Sequence, residues 1–195
     1  VTSLSDLISL DVSSNKLSFA DLLPNIEIET YVYDNQGVYG LSTVDTVWAG
    51  DDFALIADMP GRFNQYQWYF EGNEISGNKQ PLNLIESIDF FKMGVYHAEV
   101  TNAQLPGLNI EMAGNTVLAA DDIFGVVSDS LGQPIDGGEI AIFRIKDGPF
   151  DSAGTAPIND RGEYLLKRIV LGDFVLKVDP SEENNVVLQT YYISA

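Results

Sequence analysis

Residues 66–70 read YQWYF and residues 94–102 read GVYHAEVTN, and these two stretches decide the fold. In the first, Tyr66, Trp68 and Phe70 alternate with Gln67 and Tyr69, so a strand puts all three rings on one face. In the second, Tyr96, Ala98 and Val100 alternate with His97, Glu99 and Thr101. Strands with one apolar face need a second layer to bury it. FALIAD (53–58) supplies a candidate for that layer, with Phe53, Leu55 and Ala57 on its inward side.

Working outward, IETYVY (28–33), TVDTVWAG (43–50), LNLI (82–85) and NTVLA (115–119) are further short β segments. Turn signals separate them at Asp34-Asn35-Gln36-Gly37, Gly50-Asp51-Asp52, Pro60-Gly61, Glu71-Gly72-Asn73 and Pro106-Gly107. Several short strands at this spacing predict a sandwich. Gly94, Tyr96 and Ala98 fit the G-x-Y-x-C pattern of immunoglobulin strand F, with Ala98 in the cysteine position. Phe53, Leu55 and Ala57 fit strand B, with Ala57 in the matching position. Residues 29–119 thus resemble an immunoglobulin-like domain, similar to modules that follow leucine-rich repeats in Bacteroidetes surface proteins. The resemblance implies that Trp68 packs between the sheets and that Tyr96 makes the tyrosine corner. Packing around Trp68 then replaces the missing disulfide, and Trp68, Tyr96, Phe53 and Leu55 form the structural core. It also implies an extracellular spacer or adhesive role.

Toward the amino terminus, Leu4, Leu7, Leu10, Val12, Asn15, Leu17 and Leu22 follow L-x-x-L-x-x-L-x-V-x-x-N-x-L. That spacing suits a short strand, SLDVS (9–13), an Asn that bonds backbone in the following turn, and leucines that fill a coil. It resembles a leucine-rich repeat. One coil cannot bury its own apolar side, so residues 1–28 are expected to be the last coil and cap of an array. FADLLPN (19–25) would be a helical turn closed by Pro24; a short amphipathic helix or hairpin is the alternative.

Toward the carboxyl terminus, Ala119-Ala120-Asp121-Asp122 reads as an acidic hinge before IFGVVSDSLGQPIDGGEIAIFR (123–144), YLLKRIV (164–170), FVLKVDP (174–180) and VVLQTYYISA (186–195). Residues 120–195 resemble the carboxypeptidase-regulatory-like, transthyretin-like β-sandwich and the collagen-binding B-type repeats of bacterial adhesins. In those families the module is a stalk or accessory. No Lys lies in IFGVV and no Asn in VVLQTYYISA, so a Lys–Asn crosslink between first and last strands is not expected. The expected architecture is mostly β: repeat cap, immunoglobulin-like sandwich, transthyretin-like sandwich.

Ten Lys and Arg stand against 29 Asp and Glu, a net charge of −19. Such a surface repels phosphate backbones and anionic bilayers, which argues against nucleic-acid and membrane-surface partners. No run approaches the roughly 18 apolar residues of a spanning helix. With no cysteine, disulfides, thiol catalysis and cysteine-ligated zinc are excluded. His97, the one imidazole, should lie on the solvent face beside Glu99 and Thr101. Paired carboxylates at Asp51-Asp52, Asp121-Asp122 and Glu182-Glu183 fall in turn-like sequence, where water keeps both members ionised, so glycosidase chemistry is not expected. No phosphate loop, G-x-S-x-G elbow or H-E-x-x-H motif occurs, and no catalytic residue is assigned. Calcium is the cation an acidic hinge would suit, with Asp121, Asp122, Asp179 and Glu182 as candidate ligands. Otherwise no cofactor is expected. Tyr31, Tyr33, Tyr39 and Trp48 are candidates for stacking on a ligand, against the plainer reading that they pack the cap.

The expectation is a non-enzymatic, monomeric segment of a secreted or surface-anchored bacterial protein. It would space a repeat region that binds a host or environmental protein or glycan. The alternative is a carbohydrate-binding accessory region of a polysaccharide-degrading enzyme.

Overall fold

The computed structural model describes residues 7–145, 151–181 and 191–194. The chain forms two compact units. The first takes the described parts of Val1–Asp45, Gly50–Ile88 and Lys92–Val117, the second those of Thr46–Ala49, Asp89–Phe91 and Leu118–Ala195.

The first unit begins with a coil. Strands β1 (Ser9–Asp11) and β2 (Thr30–Val32) pair in parallel, with Ser9 opposite Thr30, Leu10 opposite Tyr31 and Asp11 opposite Val32. A parallel pair needs a long crossover. Here it runs through helix α1 (Phe19–Leu22) and a 3-10 turn (Leu23–Asn25) that contains Pro24. Phe19 and Leu22 are fully enclosed. The Asp21 carboxylate accepts the Ser18 N–H at 2.9 Å and its hydroxyl at 2.6 Å, closing the helix start. These bonds hold the Asp21 carboxyl below its ordinary value, the Ser18 hydroxyl being the larger cause. After β1, the Asn15 side-chain amide donates to the Val12 and Ser13 carbonyls, both at 3.0 Å. Gln36, the same step further along the chain as Thr30 is from Ser9, holds the corresponding turn. Its amide donates to Val12 and Tyr33 carbonyls at 2.8 and 3.0 Å, and its carbonyl accepts the Leu17 N–H at 3.0 Å. IETYVY does contain a strand, but its partner is β1 rather than a sandwich strand. So short a strand has no partner preference of its own, and the coil spacing decides it. Leu4 lies outside the described residues.

The sandwich follows. Its strands are the start of β3 (Thr43–Trp48), whose residues 46–48 belong to the second unit, with β4 (Phe53–Ile56), β5 (Asn64–Phe70), β6 (Asn73–Glu74), β7 (Leu82–Ile85), β8 (Gly94–Asn102) and β9 (Asn109–Glu111). One sheet is the antiparallel pair β4–β7, with Leu55 opposite Asn83 and Phe53 opposite Ile85. The other runs β6–β5–β8, with β9 also on β8. In β5–β8 the register sets Phe70 against Tyr96, Trp68 against Ala98 and Tyr66 against Val100. The residues between them, Gln67 opposite Glu99 and Tyr69 opposite His97, occupy the other face. Strand β10 (Asn115–Val126) adds Asn115–Val117 to β8.

Ala119–Asp122 is therefore strand, not hinge. Ala119 and Ala120 are fully buried and Asp121 pairs with Ile169, so the ladder satisfies backbone that a loop would leave to water. In the second unit the remainder of β10 pairs with β13 (Glu163–Val170). A second sheet has the order β12 (Asp151–Pro157), β11 (Gly138–Arg144), β14 (Asp173–Pro180), β15 (Tyr191–Ser194). Ile140, Ile142, Ala156, Ile158, Leu166, Ile169, Phe174 and Leu176 form one core drawn from both sheets. β12, whose sequence DSAGTAP carries no strand signature, is an edge strand. At an edge, weak β-formers and a terminal Pro are tolerated, and Gly154 lets Ile169 approach to 3.1 Å of where a Cβ would stand.

Candidate functional site

Trp68, Leu55 and Tyr96 are buried at 2%, 3% and 4% exposure, and Phe53 is half-buried at the end of its strand. The Trp68 indole N–H donates to the Gln80 carbonyl at 2.9 Å, so the largest ring of the interior leaves no polar atom unpaired. The Tyr96 hydroxyl donates to the Lys92 carbonyl at 2.9 Å, a short way upstream, while its ring packs on Phe70 at 4.6 Å. That is the tyrosine-corner geometry. Ala57 and Ala98 are 3% and 1% exposed.

The outer face of β5 and β8 is polar and pre-ordered. Tyr69 and His97 stack with ring centroids 4.9 Å apart and planes 5° apart. The Tyr69 hydroxyl donates to a Glu99 oxygen at 3.0 Å, and the Asn109 amide donates to the same oxygen at 2.7 Å. Burial first, and then the bond to Glu99, push the Tyr69 phenol above its ordinary value. His97 does share a face with Glu99. Its ring, however, is half-buried and covered on one side by Tyr69, an arrangement that serves cross-strand cohesion.

The sequence-selected aromatics separate into different roles. Tyr31 and Tyr33 lie 5.1 Å apart, with hydroxyls on the Leu22 and Pro106 carbonyls at 3.0 and 3.4 Å. Tyr39 makes a lone parallel bridge with Met112. Trp48 is 42% exposed, and the Arg168 guanidinium stands 5.8 Å over its ring. Arg168 also donates to the Thr46 carbonyl at 2.9 Å.

The acidic candidates are held by the fold. The β10–β13 register slips between Asp121 and Ile123, leaving an extra residue on β13, and Arg168 takes φ +53° there. Such a bulge strands a backbone donor, and Asp122 accepts it, Arg168 N–H to Oδ1 at 2.8 Å. Asp121 accepts the Asp122 N–H at 2.8 Å, and Asp179 pairs with Lys177 at 2.8 Å. Glu182 lies outside the described residues. Among the described residues no three His, Asp or Glu side chains stand close enough to share a cation.

A cleft of about 450 Å³ opens in the first unit between Leu23, Pro24, Ile26, Gly61 and Phe63. Phe63 sits at φ +64° with 74% of its surface exposed. Arg168 and Gln36 were not among the sequence candidates. A cation in a chain of −19, and an amide one coil-length after Asn15, were the signals that marked them.

No family model matches this chain, and no curated protein does. Among solved structures it is similar to Sidekick-1 immunoglobulin domains 1–4, at 12% identity over 80% of this chain and 48% of that one, with a TM-score of 0.37. It is similar to the N-terminal four Ig domains of Dscam1 isoform 1.9, at 11% identity over 78% and 50%, with a TM-score of 0.36. It is also similar to the amphioxus IgVJ-C2 molecule, at 10% identity over 77% and 100%, with a TM-score of 0.38. The chain spans about half the length of the first two. The strand pairing and the tyrosine corner of the first unit are by themselves those of an immunoglobulin-like sandwich. No helix among the described residues is long and apolar enough to cross a membrane.

Proposed function

We propose that the chain is a non-enzymatic scaffold or adhesin segment of a larger bacterial surface or secreted protein. The supporting observation is the coil: parallel strands that set Ser9 beside Thr30, with Asn15 and Gln36 at equivalent turns. The step from Ser9 to Thr30 falls within the range of leucine-rich repeat periods. A coil of this kind continues an array from one side and is closed on the other by the sandwich in its own unit. Residues 1–28, together with the paired strand Thr30–Val32 and the Gln36 turn, serve as terminal coil and cap, the rest of residues 29–119 as an immunoglobulin-like spacer and residues 120–195 as a transthyretin-like stalk module. The partner is a host or environmental protein or glycan bound by repeats in the larger protein, and the segment itself is monomeric. An antibody against this chain should label intact cells of the source organism, and external protease should strip the label. Labelling only after permeabilisation would sink the reading.

A second reading, a carbohydrate-binding accessory region, is supported by Trp48, which is 42% exposed beside a guanidinium. Titration with plant and algal glycans tests it through indole emission. Saturable quenching lost on Trp48→Ala supports it, and its absence removes it.

A further inference from the structure

Two guanidiniums of the second unit, Arg144 and Arg168, line a single cavity of about 270 Å³ together with Asp151, Ser152, Ala153 and Val170. There are 29 acidic residues to ten basic ones, so counter-ions are not scarce. Yet among the described residues neither arginine makes an ion pair. Arg144 gives one 3.3 Å bond to the Val170 carbonyl, stands 5.8 Å over the Phe174 ring, and has an enclosed Nε with no acceptor. Arg168, more exposed, is engaged by its guanidinium, among the described residues, with the Thr46 carbonyl and the Trp48 ring. A half-buried guanidinium such as that of Arg144 is costly without an anion, and although its Nε is enclosed, Arg144 lines a cavity in which an anion can approach the guanidinium.

The bulge explains why Arg168 is there. An extra residue on β13 with φ +53° re-aims the side chain, and Asp122 fixes the bulge through the backbone N–H, so that its carboxylate serves the main chain rather than the guanidinium.

We propose that this cavity binds the carboxylate of an acidic sugar, with Arg144 and Arg168 as the carboxylate clamp and the exposed ring of Trp48, which lies under Arg168 and outside the cavity lining, as the stacking face for the pyranose ring. Guanidiniums match a planar carboxylate by paired N–H donors. Ser152 offers a hydroxyl for sugar hydroxyls at the same rim. At about 270 Å³ the cavity is smaller than most ligand pockets, a volume for one ring rather than a chain. A net charge of −19 opposes a long polyanion. The ligand is therefore a single or terminal uronic acid. The inference rests on the carbohydrate-binding reading and adds its ligand class.

The test is calorimetric and fluorescence titration of the full chain with methyl glucuronide and methyl galacturonide. Methyl glucoside, sulfate, acetate and a short acidic peptide are the comparison arms. The expected result is saturable uronide binding that quenches Trp48, with the neutral glucoside at least about tenfold weaker. Arg168→Gln should weaken uronide binding by about tenfold or more, Arg168→Lys should fall between, and both should keep the parent circular dichroism. Trp48→Phe should lose most of the quench and weaken uronide binding by less than Trp48→Ala does, since a phenyl ring keeps part of the stacking face. Equal binding of glucoside and uronide, with quenching lost on Trp48→Ala, would keep the carbohydrate reading and overturn the carboxylate clamp. No binding of any sugar would overturn both. Sulfate, acetate or the peptide binding as tightly as the uronide would overturn the sugar assignment, as would unchanged affinity in Arg168→Gln.

Discussion

Tyr96→Phe isolates the bond that ties the corner of the first unit. The substitution keeps the ring, and with it the 4.6 Å packing on Phe70, and deletes only the hydroxyl that donates to the Lys92 carbonyl at 2.9 Å. A neutral hydrogen bond of this kind is worth about 0.5–1.5 kcal/mol net, and a buried acceptor deprived of its donor adds to the loss. With Tyr96 at 4% exposure, the expected destabilisation is about 1–2 kcal/mol. For a unit of this size that is a fall in Tm of roughly 4–10 °C. The chain has two tryptophans, one in each unit, so a Trp48→Phe background leaves Trp68 as the reporter of the first unit alone in urea and thermal melts. Tyr69→Phe is the control. It removes a hydroxyl on a half-exposed face, bonded to Glu99, and should cost under about 0.5 kcal/mol. If Tyr96→Phe melts with the parent, or costs no more than Tyr69→Phe, the corner does not hold the unit and the reasoning fails.

Gly162 and Gly72 share φ +74°, but a Cβ at Gly162 would meet the Val127 carbonyl at 2.5 Å while one at Gly72 meets nothing within 4 Å. Gly162→Ala should therefore cost the second unit about 2–3 kcal/mol and Gly72→Ala the first only about 1 kcal/mol, and equal losses in urea melts would refute the clash. Gln36→Ala removes two donated bonds and the acceptor of the Leu17 N–H, so it should cost about 1–3 kcal/mol and speed hydrogen exchange at Leu17. An unchanged exchange rate there would show that the second coil turn is ornamental. Asp21 is held below its ordinary value of 3.8 by Ser18, so its contribution is complete above that pH and is lost as pH falls through the lower, folded-state value. A carboxyl NMR titration should give an Asp21 midpoint below 3.8 that Ser18→Ala raises; a midpoint at or above 3.8 in the parent contradicts the cap geometry.

Much of the first unit was legible in sequence because period-two alternation is a local property. Trp68 and Tyr96 could be assigned to one face from their neighbours alone, and the hydroxyl partner of Tyr96, Lys92, lies close by in the chain. Asn15 likewise announced its turn. Less of the candidate site was legible. Asp121-Asp122 read as a water-filled hinge because two carboxylates after two alanines look like loop, and the ladder to Ile169 that makes them strand comes from a segment far along the chain. DSAGTAP has no β signature and becomes a strand only because Gly138–Arg144 lies beside it.

The sequence by itself determined which side chains the strands within 53–57, 66–70 and 94–100 would turn inward, since alternation needs no partner to be read; in Leu82–Ile85 it did not, because the pairing there buries Asn83 and leaves Leu82 and Leu84 exposed. Only the tertiary structure decided which strands meet: that Thr30–Val32 joins Ser9–Asp11, and that a bulge turns Arg168 toward Trp48 and the cavity it shares with Arg144. Pairing and register are long-range, and their energies are sums over many contacts that no single stretch of chain contains.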